Sequence, residues 1–263
     1  MKDKDHILVV GGNGGIGYEL TKYLLSDGVE VISTYCNSGP NKEYEGPQEY
    51  LDLSSFDSIF QFVDELQKYE IKNLKGIIFA STSYQSVASY RNQILDDIVL
   101  DYNVNIVGPH VLLQRLINSM VKENYLNVVF LLGGGQGPKR GLSTYIASKW
   151  ALIGLIESLS EELRPSKINV LGLYPGPFRT KFLSRLMELG DDVIGSELTD
   201  HVKYNYETFK TISHDLLLSI EKLLGLEFSF SGKVISARYD CVYEKNQEEL
   251  ISGKYTFERR GAN

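Results

Sequence analysis

The chain predicts an α/β fold, a parallel sheet with helices on both faces, in a single domain. Three features of the 263-residue sequence carry that reading. Short β-branched and apolar runs alternate with longer segments of helical apolar spacing over most of the chain. The first run, His6 to Val10, passes directly into the glycine turn Gly11-Gly12-Asn13-Gly14-Gly15-Ile16-Gly17 and then into a helical pattern. Later runs end in small residues or in glycine and proline, as strands do where they feed crossovers. No linker, solenoid-period repeat or low-complexity block divides the chain.

Taken in order, His6 to Val10 reads as the first strand, and Leu20, Leu24 and Leu25 mark a helix that closes at Asp27-Gly28. Val29 to Tyr35 is the second strand, followed by a Gly/Pro/Asn-rich loop from Cys36 to Gln48. Glu49 to Leu53 is a short third strand. Ser54 with Asp57 signals the cap of a helix running to Glu70. Leu74 to Ala80 is a buried strand ending in Ser81-Thr82-Ser83. Asn92 to Lys122 reads as a long helix interrupted at Gly108-Pro109. Leu126 to Leu132 is a central strand running into Gly133-Gly134-Gly135. A helix from Ser143 to Leu163 follows, then a strand from Lys167 to Tyr174 ending in Pro175-Gly176-Pro177. Thr180 to Gly190 is a short amphipathic segment, while Asp191 to Asn205 is polar and without pattern. Thr208 to Leu224 is a helix and Gly232 to Ser236 the seventh strand. The tail from Tyr239 to Asn263 is polar and aromatic.

Composition excludes several classes. A net charge of -7 argues against a nucleic-acid surface. No apolar run reaches membrane length, and the start from Lys2 to His6 lacks a signal peptide's apolar core, so a cytoplasmic protein is expected. Cys36 and Cys241 lie far apart, and the four histidines form no ligand spacing, so neither a disulfide framework nor a metal is expected.

The glycine turn carries the first chemical expectation. Strand, glycine turn and helix is the setting in which backbone approaches a pyrophosphate and a helix N-terminus faces the anion. Gly12, Gly14 and Gly17 fit G-x-G-x-x-G, and Gly11, Gly15 and Gly17 fit G-x-x-x-G-x-G. Asn13 and Ile16 lie within the same turn. The second strand's tip, through Tyr35, holds no carboxylate for a ribose 2′-hydroxyl, which tilts the expectation toward NADP over NAD. Asp52 and Leu53 stand where a side chain meets an adenine, and Ala80 ends the fourth strand.

The second expectation rests on Tyr145 and Lys149. Four residues apart on one helix, they share a face. A phenol titrates near ~10 and is a poor acid or base at neutral pH, and a neighbouring ammonium favours the phenolate. The pair therefore makes a proton-transfer unit needing neither histidine nor metal, unless it is merely an exposed helix pair. Pro109 has no N–H, so the carbonyl of Asn105 loses its helical partner and becomes an anchor for an ordered water, or simply sits at a tolerated kink.

Together these pieces resemble the short-chain dehydrogenase/reductase family. Gly11-x-x-x-Gly15-Ile16-Gly17, Asp52-Leu53, Asn105-Ile106-Val107-Gly108, Tyr145-x-x-x-Lys149 and Pro175-Gly176 with Thr180 lie in family order, spanning residues 6 to about 236. The resemblance implies a Rossmann-type doubly wound sheet of about seven strands and an oxidoreductase moving hydride between a nicotinamide and a carbonyl/alcohol pair. It implies Tyr145 as acid/base, and Lys149 as the group that lowers the phenol pKa and holds the nicotinamide ribose. Asn105 would bind a relay water through its main chain, and Pro175, Gly176 and Thr180 would close over the nicotinamide. Homodimers or homotetramers, paired through the helices carrying Asn105 and Tyr145, are implied too. A substrate lid is expected near 180–210.

Three departures stand out. The family's serine about thirteen residues before the tyrosine is missing from the window Leu131-Leu132-Gly133. A backbone N–H of Gly133 to Gly135, Ser81 or a substrate hydroxyl would have to replace it. The family's Asn-Asn-Ala-Gly turn is replaced around Phe79-Ala80-Ser81-Thr82, and the usual leading threonine is Val10. The missing serine motivates an alternative, a cofactor-binding protein with weakened or lost catalysis that acts as a sensor or scaffold. The Gly133-Gly134-Gly135 run, the Gly232 to Ser236 strand and the Arg259-Arg260 tail are loosely similar to reductases of bacterial polysaccharide gene clusters, which implies a sugar or sugar-nucleotide substrate.

Overall fold

A computed structural model describes residues 6–67, 69, 74–120, 125–133 and 138–255. All seven predicted strands are present: β1 (His6–Val10), β2 (Glu30–Tyr35), β3 (Gln48–Tyr50), β4 (Leu74–Phe79), β5 (Leu126–Leu131), β6 (Ile168–Tyr174) and β7 (Val234–Ser236). They form one sheet in the order β3-β2-β1-β4-β5-β6-β7, and every pairing is parallel. The chain winds outward in one direction from β1 to β3 and in the other from β4 to β7. The switch point therefore lies between β1 and β4, where open α/β sheets bind ligands beyond the strands' carboxyl ends.

Both faces of the sheet are buried, which is why its strands read as continuous apolar runs rather than alternating ones. Leu8, Val10, Ile77, Val128 and Val170 face a core completed by α2 (Phe56–Gln67), α4 (Gly108–Met120) and α5 (Ser143–Glu162). Ile7, Val9, Ile78, Val129 and Leu171 face the other core, closed by α1 (Gly15–Ser26) and α8 (His214–Leu224). The one polar residue in β5, Asn127, is fully buried and donates to the carbonyls of Leu224 and Leu226 at 3.0 and 2.9 Å. It thereby ties the end of α8 to the sheet.

Several boundaries differ from the sequence expectation. β3 stops at Tyr50, and Leu51 and Leu53 turn into the core. The cap of α2 is Ser55, whose hydroxyl accepts from the Ser58 N–H at 3.3 Å; the Ser54 hydroxyl donates to Asp52 instead. The long helix starts at α3 (Leu95–Tyr102), and Asn103–Val107 widens into a π-helical turn before α4. That turn is the local answer to Pro109: the Gly108 N–H reaches back five residues to the Asn103 carbonyl.

The stretch read as patternless is helical. α6 (Lys181–Ile194) breaks at Gly190, with φ 60°, and α7 (Ser196–Thr208) starts after Gly195, with φ 82°. α8 begins at His214 rather than Thr208, because Ser213 caps it by accepting from the Leu216 N–H. The tail contains α9 (Gln247–Ser252), opened by a reciprocal Asn246–Glu249 capping box. Gly134, Gly135 and the Arg259-Arg260 pair lie outside the described residues.

Candidate active site

The glycine turn joins β1 to α1 under tight constraint. Gly11 has φ +86°, and a Cβ there would stand 2.8 Å from the Ser81 nitrogen. A Cβ on Gly12 would stand 2.5 Å from that of Ser33, and one on Gly17 would overlap the Gly11 carbonyl. Packing thus explains three of the glycines. It does not explain Gly14, the N-cap of α1, whose Cβ would meet nothing nearer than 3.8 Å. α1 also opens with no side-chain cap and no acidic residue in its first turn. The positive end of its dipole is left without a counter-charge from its own first turn. Across the turn, the buried Ser81 hydroxyl has no hydrogen-bond partner among the described residues. A helix N-terminus with no side-chain cap and no counter-charge in its first turn fits the phosphates of a dinucleotide. A cleft of about 410 Å³ beside the turn is lined by Asn13, Gly15, Glu43, Phe178, Arg179 and Lys210, among others.

The loop after β2 folds back onto this turn. The Tyr44 hydroxyl reaches the Gly12 carbonyl at 3.0 Å and Asn13 Oδ1 at 2.5 Å, and Asn13 Nδ2 donates to the Gly39 carbonyl. The Tyr18 hydroxyl donates to Glu43. Neither Tyr44 nor Glu43 was legible in sequence, because a loop has no periodicity to show which residue returns.

Tyr145 and Lys149 lie on one side of α5, each 5% exposed, at the carboxyl end of β5. Lys149 Nζ donates to the Leu131 carbonyl at 3.3 Å and stands 5.7 Å from the centroid of the Tyr145 ring. The Tyr145 hydroxyl backs onto Gly133, where a Cβ would overlap it. The titration differs from the sequence expectation. Burial, with a smaller push from the Tyr174 phenol, raises the Tyr145 pKa above the ordinary phenol value. Burial also lowers Lys149 to about 8. Desolvation acts against the charged form of both groups, so Tyr145 stands as a neutral phenol. That is the form that donates a proton.

Lys149 gives a pH-dependent stability. Unfolded lysine titrates near ~10.4, above the folded value, so the unfolded chain binds more protons between about pH 8 and 10. Below that window the buried ammonium costs stability; rising pH removes the cost. Relative to Lys149→Met, denaturant unfolding should show the wild type gaining about 2 kcal/mol from pH 8 to pH 10. A pH-independent difference between the two proteins would contradict this.

Asn105 sits in the π-helical turn and is 2% exposed. Its amide donates to the Ser83 carbonyl at 2.9 Å and to Ser148 Oγ at 3.2 Å, and its Oδ1 accepts from the Ser83 N–H at 2.7 Å. The side chain thus joins the segment after β4 to the helix of Tyr145. One helical turn earlier, the fully buried carboxylate of Asp101 accepts four hydrogen bonds. They come from Ser83 Oγ (2.5 Å), the Gln85 N–H (2.9 Å), the Ser86 N–H (3.0 Å) and Ser86 Oγ (2.5 Å). Asp101 was not singled out in sequence, since an acidic residue in a helical pattern ordinarily reads as a solvated face.

The remaining expected residues divide. Thr180 caps α6 by accepting from the Leu183 N–H, and its Cγ2 would lie 3.9 Å from a Cβ on Gly15, which brings the loop after β6 to the glycine turn. Gly176, with φ +83°, has open space around it beside Pro175. Ile16 and Ala80 pack partly buried against the core, and the Ala80 N–H donates to the Val10 carbonyl. The Tyr35 ring meets Tyr50 edge-on at 6.0 Å at the sheet edge. The Asp52 carboxylate is taken up by the Ser54 N–H and hydroxyl. The Leu53 side chain is in the core, so it offers a ligand no side-chain surface. Leu132, thirteen residues ahead of Tyr145, is also a core residue. Ser81 stands at the glycine turn. Phe182, at the start of α6, was missed altogether, and its ring lies over Tyr145 with centroids 4.7 Å apart.

Comparison with known proteins agrees with this geometry. The family model for short chain dehydrogenase matches residues 5–189. The chain is 28% identical over 193 residues to the uncharacterized oxidoreductase YbbO of Escherichia coli, covering 71% of this chain and 70% of that one. It is 26% identical over 186 residues to the 3-oxoacyl-[acyl-carrier-protein] reductase MabA of Mycobacterium tuberculosis, covering 69% and 72%. The fold matches the crystal structure of the short chain dehydrogenase/reductase YIR035C from Saccharomyces cerevisiae with a TM-score of 0.80. That match has 19% identity and covers 91% of this chain and 98% of the other. A seven-stranded doubly wound parallel sheet, a glycine turn at its first crossover and a family match over most of the chain lead to one conclusion: this protein is a member of the short chain dehydrogenase family, an NAD(P)-dependent oxidoreductase.

Proposed function

We propose that the protein reduces a carbonyl group of a small metabolite, with Tyr145 donating the proton. The observation that carries the reading is the buried phenol. A phenol at the carboxyl end of β5, one helical turn from Lys149 and at the same sheet edge as the phosphate-compatible glycine turn, is placed to act as the acid. A bound nicotinamide would supply hydride to the carbonyl carbon. Tyr145 Oη would protonate the oxygen. Lys149 would hold the nicotinamide ribose, and the Asn105 main chain would anchor the water that resupplies the proton. Gly11, Asn13, Gly14, Gly15, Ile16 and Gly17 would bind the pyrophosphate side, with Tyr35, Asp52 and Ala80 along the adenosine side. Pro175, Gly176 and Thr180 would close over the nicotinamide, with α6 and α7 serving as the lid.

The expected preference for NADP rests on the β2 tip, which has no carboxylate. In the cleft beside the turn the Glu43 carboxylate, which accepts from Tyr18, is accompanied by Arg179 and Lys210, cations that suit a 2′-phosphate. Our reading is accordingly NADP over NAD. Thermal unfolding with each dinucleotide tests it: NADP should raise the Tm more. Stronger stabilisation by NAD would contradict it. Turnover across a carbonyl panel tests the activity itself, and failure both to bind a dinucleotide and to turn over any carbonyl would end the reading.

A second reading, a dinucleotide-binding sensor or scaffold without turnover, has one observation in its favour. Leu132 and Gly133 bring no side-chain hydroxyl to the reacting oxygen, and loss of one such donor typically costs ~3 kcal/mol. Turnover that disappears with Tyr145→Phe would reject it.

We assign the protein to the cytoplasm, on its charge and its two free cysteines. Among the described residues no helix is long and apolar enough to cross a membrane. A homodimer or homotetramer, read by sedimentation, is supported by the outward faces of α3 and α5. Val99 and Trp150 are exposed there, at 48% and 46%.

A further inference from the structure

The ring over Tyr145 bears on what the enzyme accepts. Phe182 lies 4.7 Å from the Tyr145 ring and 4.8 Å from that of Tyr84, and these three belong to a packed cluster with Val87, Leu142 and Leu186. Tyr145 is nearly sealed by it. The Phe182 ring covers a face of the Tyr145 ring, and a substrate packing on that face has to displace it. α6 is flanked by Gly176, which has open space around it, and breaks at Gly190, with Gly195 beyond. On that helix Arg185 and Glu188, which bear on the Tyr84 phenol, are paired with each other at 3.3 Å and largely exposed.

We infer that the substrate is a ketone or secondary alcohol bearing a ring-sized apolar arm, which takes the place of the Phe182 ring against Tyr84, Val87 and Leu142. The inference rests on the reductase reading above and narrows it. A sugar would bring several hydroxyls into a space whose named walls offer two phenol hydroxyls, those of Tyr84 and Tyr145, and otherwise hydrocarbon, and a sugar nucleotide would bring a diphosphate. Unpaired polar groups in such a space are costly. One apolar ring exchanging for another costs little. This departs from the sugar chemistry implied by the looser resemblance in sequence.

Binding and turnover are measured separately. Saturation-transfer NMR in the presence of oxidised NADP compares acetophenone and cyclohexanone with glucose and a uridine-diphosphate sugar. Both ketones should bind and neither sugar should. Phe182→Ala, which removes the competing ring, should tighten ketone binding up to about tenfold, the scale of one aromatic pair. Phe182→Leu, which keeps apolar packing should the alanine variant unfold, should do so by less. Sugar binding in preference to ketone binding, or ketone binding indifferent to both Phe182 variants, would overturn the inference. Ketone binding that follows Phe182 without dinucleotide-dependent turnover would support the chamber and defeat the reductase reading.

Discussion

Tyr145→Phe should lower turnover about a thousandfold and leave dinucleotide binding unchanged. A positioned general acid contributes ~10²–10⁴ in rate, and among the described residues the other proton-bearing groups with resolved shifts around Tyr145 are Lys149 and the Tyr84 and Tyr174 phenols. Lys149 reaches the Leu131 carbonyl, beneath the ring rather than beyond its hydroxyl. The substitution removes one oxygen and keeps the ring that packs against Phe182. Stability should therefore hold within about 1 kcal/mol, because the lost hydroxyl backs onto Gly133 and has no described hydrogen bond. Steady-state rates measured beside dinucleotide fluorescence separate the two effects. A residual rate within tenfold of wild type would assign the proton to another group.

Asp101→Ala has the largest expected effect on stability. The carboxylate is fully buried, and its two oxygens accept from two serine hydroxyls and two backbone N–H groups. Truncation leaves four donors without an acceptor in the interior. At ~1–3 kcal/mol for each uncompensated group, partly relieved by water entering, the net loss should be about 4 kcal/mol. A chain of this size should then melt about 10 °C lower. Asp101→Asn should cost less but remain destabilising, because its amide NH2 would oppose one backbone N–H while the serine hydroxyl on that side can turn to accept. Turnover should fall as well, since the same carboxylate holds Ser83, which Asn105 ties to Ser148 on the helix of Tyr145. An asparagine variant as stable as the wild type would refute this account of the network.

The two halves of the site were unequally visible in the amino-acid sequence. The glycine turn and the Tyr145–Lys149 pair are local patterns, and local geometry alone joins their members: a strand-to-helix turn in one case, one helical turn in the other. The seven strands were visible for a similar reason. Burial on both faces leaves no polar alternation, so each strand is an apolar run bounded by turn residues. Phe182, Asp101, Tyr44 and Glu43 were not visible, because their significance lies in partners far along the chain. α6 and α7 were obscured by Gly190 and Gly195, which break the helical period, and by an apolar face that packs only on the small cluster around Tyr145. The direction of the Tyr145 shift was also out of reach. Spacing showed the ammonium beside the phenol, but not that both are buried, and burial decides the sign.

Label transfer tests the central claim most directly. The protein is incubated with a ring-bearing ketone and reduced dinucleotide deuterated at the transferring carbon, and the alcohol is analysed by mass spectrometry. The account predicts one deuterium on the carbinol carbon, transferred by the wild type and about a thousandfold more slowly by Tyr145→Phe. Dinucleotide that binds tightly yet passes no deuterium to any carbonyl would contradict it.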